Sequence, residues 1–419
     1  MILINQLQYK KKIIFNFILF FIFLVFFSRI LVAFGLFDYV NHFHYFLLLI
    51  IFFLSFQIEI FKNRKENLIL VLFFFLILFS SFINSVSILN YIVYNLIIFE
   101  PFVYFIVLTN LLNDDKNYKI FEKLIFLIFI IHISLAYIQY ILFGLRNDFV
   151  QGLFIGLGNG SHAAGSVALI FAIYIYLKNK NISIFKFFLI LILFSVNYIS
   201  DAKQVIFAFI TTIIIFLFSN FVIQKKIQIK LKYLFFLTLL ITLFQYLYNS
   251  FFLSEIISNR NLDDFLISFS IKNKVIEIIN SSNSLINFLF GNGVGHSSSR
   301  LSFMIPYYEN VLPLSKLDLT EKIWFFQQSN YVTNTTTGSS MFSLFFFWGG
   351  LYGDLGLLGI IIYLGIWLKI IRNSFNKNLT FFFVTYIFVM GYLYNWIEEP
   401  VFIISVISII CLLNKNLNN

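Results

Sequence analysis

The residues of this chain that could do chemistry are few, and three short stretches hold most of them. The first is FGNGVGHSSSR, over 290–300. Gly291, Gly293 and Gly295 alternate, Ser297, Ser298 and Ser299 add hydroxyls, and His296 and Arg300 add a proton carrier and a fixed cation. Alternating glycines let successive backbone N–H groups converge on an anion. A guanidinium matches phosphate or carboxylate in a planar fork, and a histidine exchanges protons near neutral pH. The rival reading is a set of turns where a helix leaves a membrane.

The second stretch, YISDAKQVIFAF over 198–209, sets Asp201 and Lys203 between two apolar runs. A cation there is either a partner for Asp201 or a ligand for phosphate, and a surface pair alone adds little stability. The third, GLFIGLGNGSHAAGSVA over 152–168, holds Asn159 and His162. Its Ala164, Gly165 and Ala168, with Ala172 beyond, read as a site of close helix approach. Outside these stretches, Glu100 precedes Pro101 in the middle of an apolar run. A carboxylate at that depth is functional by default, or else it is protonated and hydrogen-bonded at a proline kink.

Arg300 and Lys203, with the backbone N–H groups of the glycine stretch, are thus groups that could meet an anion such as a phosphate, and His296 is one that could move a proton. No Asp-x-Asp occurs and the carboxylates lack ligand spacing, so no metal is expected. No phosphate-binding Walker loop or dinucleotide fingerprint is present, so no cofactor is expected either. Cys411 is the one cysteine and cannot form an internal disulfide.

The elements that must position these groups are greasy. The chain has 419 residues, 60% of them hydrophobic and 11% charged. Runs such as IIFNFILFFIFLVFF, over 13–27, are continuous rather than alternating. They read as membrane helices, since about 20 apolar residues cross a bilayer core, and not as strands of a barrel. The expectation is an all-α polytopic membrane protein of about 12 spans. Spans one to nine fill 1–250, a large exterior insertion with short helices fills 251–348, and spans ten to twelve fill 349–419.

The net charge of +10 first raises the prospect of nucleic acid. Position argues against it. Lys10–Lys12, Lys62, Arg64, Lys65, Lys116, Lys119, Lys123, Lys225, Lys226, Lys369 and Arg372 all fall in alternate connectors. The opposite short connectors hold almost none. Basic residues gather on the cytoplasmic side, so both termini are expected there, with 251–348 on the exterior side. No nucleic-acid partner is expected. Within the insertion, 262–279 spaces Leu262, Phe265, Leu266, Phe269, Ile276 and Ile279 as a helix. It would lie on the membrane surface or pack on other exterior loops. A separate interfacial helix is expected over 339–350.

The order of these pieces resembles the O-antigen polymerase and O-antigen ligase superfamily of multispan bacterial glycosyltransferases. The residues that carry the resemblance are SDAKQVI, then KNKVIEIINSSNSLINFLFGNGVGHSS, then TTTGSSMFSLFFFWGGLYGDLGLLGIIIYL, covering roughly 150–365. Lys203 stands where that family has a basic residue at the top of a span. Lys274 or Arg260 stands before the glycine stretch, and Asp354 with Gly356 and Gly359 opens the next span. Ser329 and Asn330 stand where ligases carry His-Asn, which favours a polymerase. The resemblance implies a place in a bacterial inner membrane and transfer of a glycan from a polyprenyl diphosphate to a lipid-linked repeat unit, without metal or cofactor. It implies Lys203, Arg260, Lys274 and Arg300, with Gly293 and Gly295, as the groups that meet the diphosphate, and His296, Asp201 or Asp354 as the base for the attacking hydroxyl. The partners implied are that polyprenyl diphosphate-linked oligosaccharide, membrane lipids, a chain-length regulator and a flippase. Ligase-type transfer to another acceptor, or transport of a lipid-linked oligosaccharide, are the alternatives.

Overall fold

The computed structural model describes residues 2–58, 60–61, 67–156, 160–178, 183–224, 262–281, 284–305, 318–333 and 343–416. Among these the chain is helical throughout, with no strand. The helices are α1 (Ile2–Ala33), α2 (Phe43–Gln57), α3 (Asn67–Ile83), α4 (Ile88–Leu111), α5 (Asp115–Ile141), α6 (Gly160–Lys178), α7 (Ile184–Ile199) and α8 (Lys203–Gln224). After them come α9 (Leu262–Ser281), α10 (Leu285–Phe290), α11 (Arg300–Met304), α12 (Asp318–Thr333), α13 (Phe347–Asn373), α14 (Lys377–Leu393) and α15 (Pro400–Asn416).

Six helices are long and apolar enough to cross a membrane: Gln8–Ala33, Asp38–Gln57, Ile88–Leu111, Asp115–Ile141, Gly160–Lys178 and Phe347–Asn373. Shorter apolar helices, α3, α7, α8, α14 and α15, pack among them. The expected ninth span, over 231–250, lies outside the described residues. Many large side chains stay exposed along the outside, among them Phe53, Phe75, Phe82, Phe188 and Ile214. In water that surface would be unstable; against lipid tails it costs nothing.

The centre of the bundle is α6 and α15, which pack on each other. Ala163, Ala164, Ala168 and Ala172 are buried. A Cβ added to Gly165 would lie 2.5 Å from both the Ala202 Cβ and the Asn197 Oδ1. The small residues therefore act as the sequence indicates, bringing α6 close to the start of α8.

The insertion contributes a second, smaller core. Val275 and Ile279 of α9 are buried with Leu319 and Ile323 of α12 and with Leu344, Phe345 and Phe346. So the later half of α9 packs on its neighbours in the insertion. The helix expected over 339–350 differs: residues 343–346 are not helical, and the helix starts at Phe347. Phe345 and Phe346 are spent on the small core, which draws the chain out of helix just before the span.

Candidate functional site

The site is built on a break in α13. Gly356 adopts φ 66° and ψ −165° inside the helix, a conformation that glycine reaches without a Cβ penalty. The break exposes the carbonyls of Gly353 and Asp354. The glycine turn supplies their donors: Asn292 N–H to the Gly353 carbonyl at 2.8 Å and Gly293 N–H to the Asp354 carbonyl at 3.2 Å. The Ser80 hydroxyl also donates to the Asp354 carbonyl, at 2.9 Å. Asn84 then ties α3 to the turn by donating to the Gly291 carbonyl at 3.1 Å. This backbone-on-backbone contact needs glycine on both sides. A Cβ on Gly291, at φ 83°, would sit 2.2 Å from the Asp354 carbonyl, and one on Gly356 would sit 2.5 Å from the Leu289 carbonyl.

The Asp354 side chain is fully buried. Its carboxylate accepts the Gly295 N–H at 3.0 Å and, by a short contact, the Ser297 hydroxyl. Of the three glycines, only Gly295 gives its N–H to this carboxylate; Gly293 N–H goes to the Asp354 carbonyl and Gly291 N–H to the Asn287 carbonyl. His296 is buried beside them, its Nδ1 3.0 Å from the Asn292 carbonyl. A carbonyl only accepts, so the ring donates from Nδ1. Gly293 backs onto α3, where a Cβ would meet Val86 and Asn84.

The turn delivers Arg300. Ser299 caps α11 by accepting the Ser302 N–H. The Arg300 backbone N–H donates to Glu398 Oε2 at 2.7 Å. Its guanidinium donates through Nη1 to the Glu398 carbonyl and pairs with Glu399 Oε2 at 3.1 Å. Deeper in the bundle, His44 Nε2 of α2 lies 3.4 Å from Glu100 Oε1 of α4, with both side chains buried. The field of Arg300 reaches this pair. Burial works against the charge on Arg300, but Glu399 first, then Tyr45, Glu398 and Glu100, outweigh it and hold the guanidinium above its ordinary range.

Glu398 lies in the turn between α14 and α15. Burial pushes its carboxyl up to about 8; the Arg300 N–H opposes that shift and the charge of Asp354 adds to it. A group raised in the folded state leaves stability whole below its ordinary value near 4.5 and removes it as pH rises through about 8. Purified Glu398→Gln protein is therefore expected to melt several degrees above the native chain at pH 9 and level with it at pH 4. A gap that is the same at both pH values contradicts this burial effect.

The other sequence-selected residues are placed as follows. Lys203 Nζ pairs with Asp201 Oδ1 at 2.9 Å, and Asp201 takes φ 51°. The pair flanks Ala202, which packs on Gly165. About one turn nearer the start of α6, the His162 ring lies 6.4 Å from Trp396, in the turn that carries Glu398. Lys203 and Asp201 thus share the loop end of the bundle with Arg300, without a contact to it. Lys274 pairs with Glu277 at 2.6 Å on an exposed face of α9. Arg260 and Asn159 lie outside the described residues. Arg300, His296, Asp354, Gly293 and Gly295 come together in one site.

The partners of Arg300 escaped sequence reasoning. NWIEEP, over 395–400, places two adjacent carboxylates in a short connector between apolar runs, and HFHY, over 42–45, places two histidines at a span's start. Both were visible as polar breaks; nothing local links either to Arg300. Among the described residues no group of three or more His, Cys, Asp or Glu side chains is placed to hold a metal ion. No family model, curated protein or solved structure matches the chain.

What the arrangement can do is hold an anion at the head of an apolar bundle. Arg300 is the fixed cation, its side chain 13% exposed, beside Glu398 and Glu399. The turn that carries it is anchored through α3 and α13.

Proposed function

We propose that this chain is a membrane glycosyltransferase that polymerises a surface polysaccharide, moving a glycan from a polyprenyl diphosphate to a lipid-linked repeat unit on the exterior face. In this reading about 12 spans hold the lipid tails, both termini are cytoplasmic, and the insertion faces the periplasm. The observation that carries the reading is Arg300. It is a buried guanidinium fenced by Glu398 and Glu399 at the head of an apolar bundle, next to a glycine turn that is already folded.

The chemistry follows from those groups. The acceptor hydroxyl attacks the anomeric carbon, and the bond from that carbon to the diphosphate breaks. The departing diphosphate gains charge, and a fixed cation in a water-poor site stabilises it. Arg300 is that cation, and Lys203 a second one at the same end of the bundle. Asp354 acts as a positioning residue, since its carboxylate is occupied by the turn. His296 stands beside it with Nδ1 committed to a carbonyl.

The test is the fate of the lipid-linked unit. Cells lacking this protein are expected to accumulate single repeat units on the exterior face. The purified protein is expected to join defined units in the presence of a chelator. Failure to join them with donor and acceptor supplied would refute the reading.

One observation favours transport instead: a helix interrupted in mid-course, as at Gly356, is a feature of many transporters. In those, the freed carbonyls line a cavity. Here they are bound by Asn292 and Gly293, which supports the transferase. Units trapped on the cytoplasmic face of deleted cells would reverse that preference.

A further inference from the structure

An arginine offered to a diphosphate should have donors to give, yet Nη1 of Arg300 already meets two of the protein's own oxygens, the Glu398 carbonyl and Glu399 Oε2. The two occupants differ. The Glu398 carbonyl belongs to a closed turn, in which Glu398 N–H donates to the Asn395 carbonyl and Glu399 N–H to the Trp396 carbonyl, each at 3.1 Å. The Glu398 carboxylate is fixed from the other side by the Arg300 backbone N–H. Neither can leave without unfolding the turn.

Glu399 is different. Its backbone carbonyl accepts the Ile403 N–H at 3.1 Å and starts α15. Its carboxylate meets Arg300 by a single contact of 3.1 Å, and at 16% it is the more exposed member of that pair. A rotation about its own side-chain bonds releases it while the backbone stays in place.

We propose that Glu399 is a latch on Arg300: the donor's diphosphate displaces the Glu399 carboxylate from the guanidinium, and the freed carboxylate then takes the proton of the acceptor hydroxyl. This rests on the reading of the donor as a diphosphate-linked glycan. Exchange of one anion for another keeps the guanidinium paired throughout, whereas removing its partner outright leaves a buried charge uncompensated. A diphosphate also brings more charge and more acceptor oxygens than one carboxylate, so it competes well for a fork of donors.

The step balances. The acceptor O–H bond breaks and its proton goes to a Glu399 oxygen. The acceptor oxygen forms its bond to the anomeric carbon. The bond from that carbon to the diphosphate oxygen breaks, and its electron pair leaves with the diphosphate, whose added charge Arg300 meets. Glu399 then gives its proton to water and, once the diphosphate has gone, returns to Arg300. Donor binding thus precedes and creates the base, and an acceptor arriving first finds Glu399 engaged.

The experiment uses the full-length protein in micelles with farnesyl diphosphate as the probe, and the polymerisation assay beside it. Glu399→Gln is expected to bind the probe about tenfold more tightly, because the competing charge is gone. It is expected to polymerise about a hundredfold more slowly at saturating donor, because the base is gone. Arg300→Gln is expected to erase probe binding in either background. Glu399→Asp, which keeps the charge on a shorter stem, is expected to tighten binding by about threefold. It serves as the test should Gln at 399 impair folding. If neither 399 variant tightens while Arg300→Gln still erases binding, the latch is overturned and the diphosphate reading stands. If neither the native chain nor the variants bind the probe, both fall.

Discussion

Replacing Arg300 with alanine is expected to lower polymer formation by roughly 10²- to 10³-fold, the scale on which enzymes lose rate when one fixed transition-state donor is removed. The reason is local. Arg300 is held from its backbone N–H by Glu398 and from its guanidinium by the Glu398 carbonyl and Glu399. Arg300→Lys should recover only part of the loss. An ammonium supplies charge but not the planar fork that can reach two acceptors at once. The measurement is the initial rate of chain growth on labelled lipid-linked units, with purified protein normalised for folded fraction. Full activity in Arg300→Ala would remove the centre of the proposed site.

The second large effect is on folding. Asp354→Ala leaves the Gly295 N–H buried without its acceptor and removes one of the acceptors of the Ser297 hydroxyl, which keeps the Gly350 carbonyl at 3.2 Å. An orphaned buried donor costs about 1–3 kcal/mol and a lost hydrogen bond about 1 kcal/mol, so a loss of roughly 2–4 kcal/mol is expected, large against the net stability of a typical domain. Ser297→Ala removes its bond to the carboxylate together with the donor and should cost about 1 kcal/mol. Asp354→Asn, which keeps one acceptor oxygen, should fall between them. Thermal unfolding of the purified proteins ranks the three. If Asp354→Ala melts with the native chain, the carboxylate is not what closes the turn.

These two residues also show what could be read from the sequence and what could not. The apolar runs specify helices wherever they are long, because a continuous apolar surface in lipid has few other ways to satisfy its backbone. The alternating glycines mark a turn, and a turn forms there. That the Gly295 N–H meets a carboxylate of the protein itself is a long-range fact: Asp354 stands 59 positions from Gly295. The same holds for Arg300 and Glu398, 98 positions apart. Local spacing identifies groups able to pair, and only the packing of α3, α13 and α15 chooses the partners. Lys274 carries the opposite lesson. Its place before the glycine stretch looked promising, yet Glu277, three residues on and on the same helical face, is the partner within reach. The placement of α9 was legible only as far as its apolar face, since what covers that face comes from 318–346.

The glycine turn has one more consequence. Its amides and the carbonyls of the interrupted helix complete one another without any guest. A floor assembled in advance demands no ordering of its own when cargo arrives, so the entropy of shaping it is settled once, at folding, and not at each turnover. On the proposed reading, the first sugar laid on it and the last would meet the same surface, and growth would proceed at an even pace from the opening link onward.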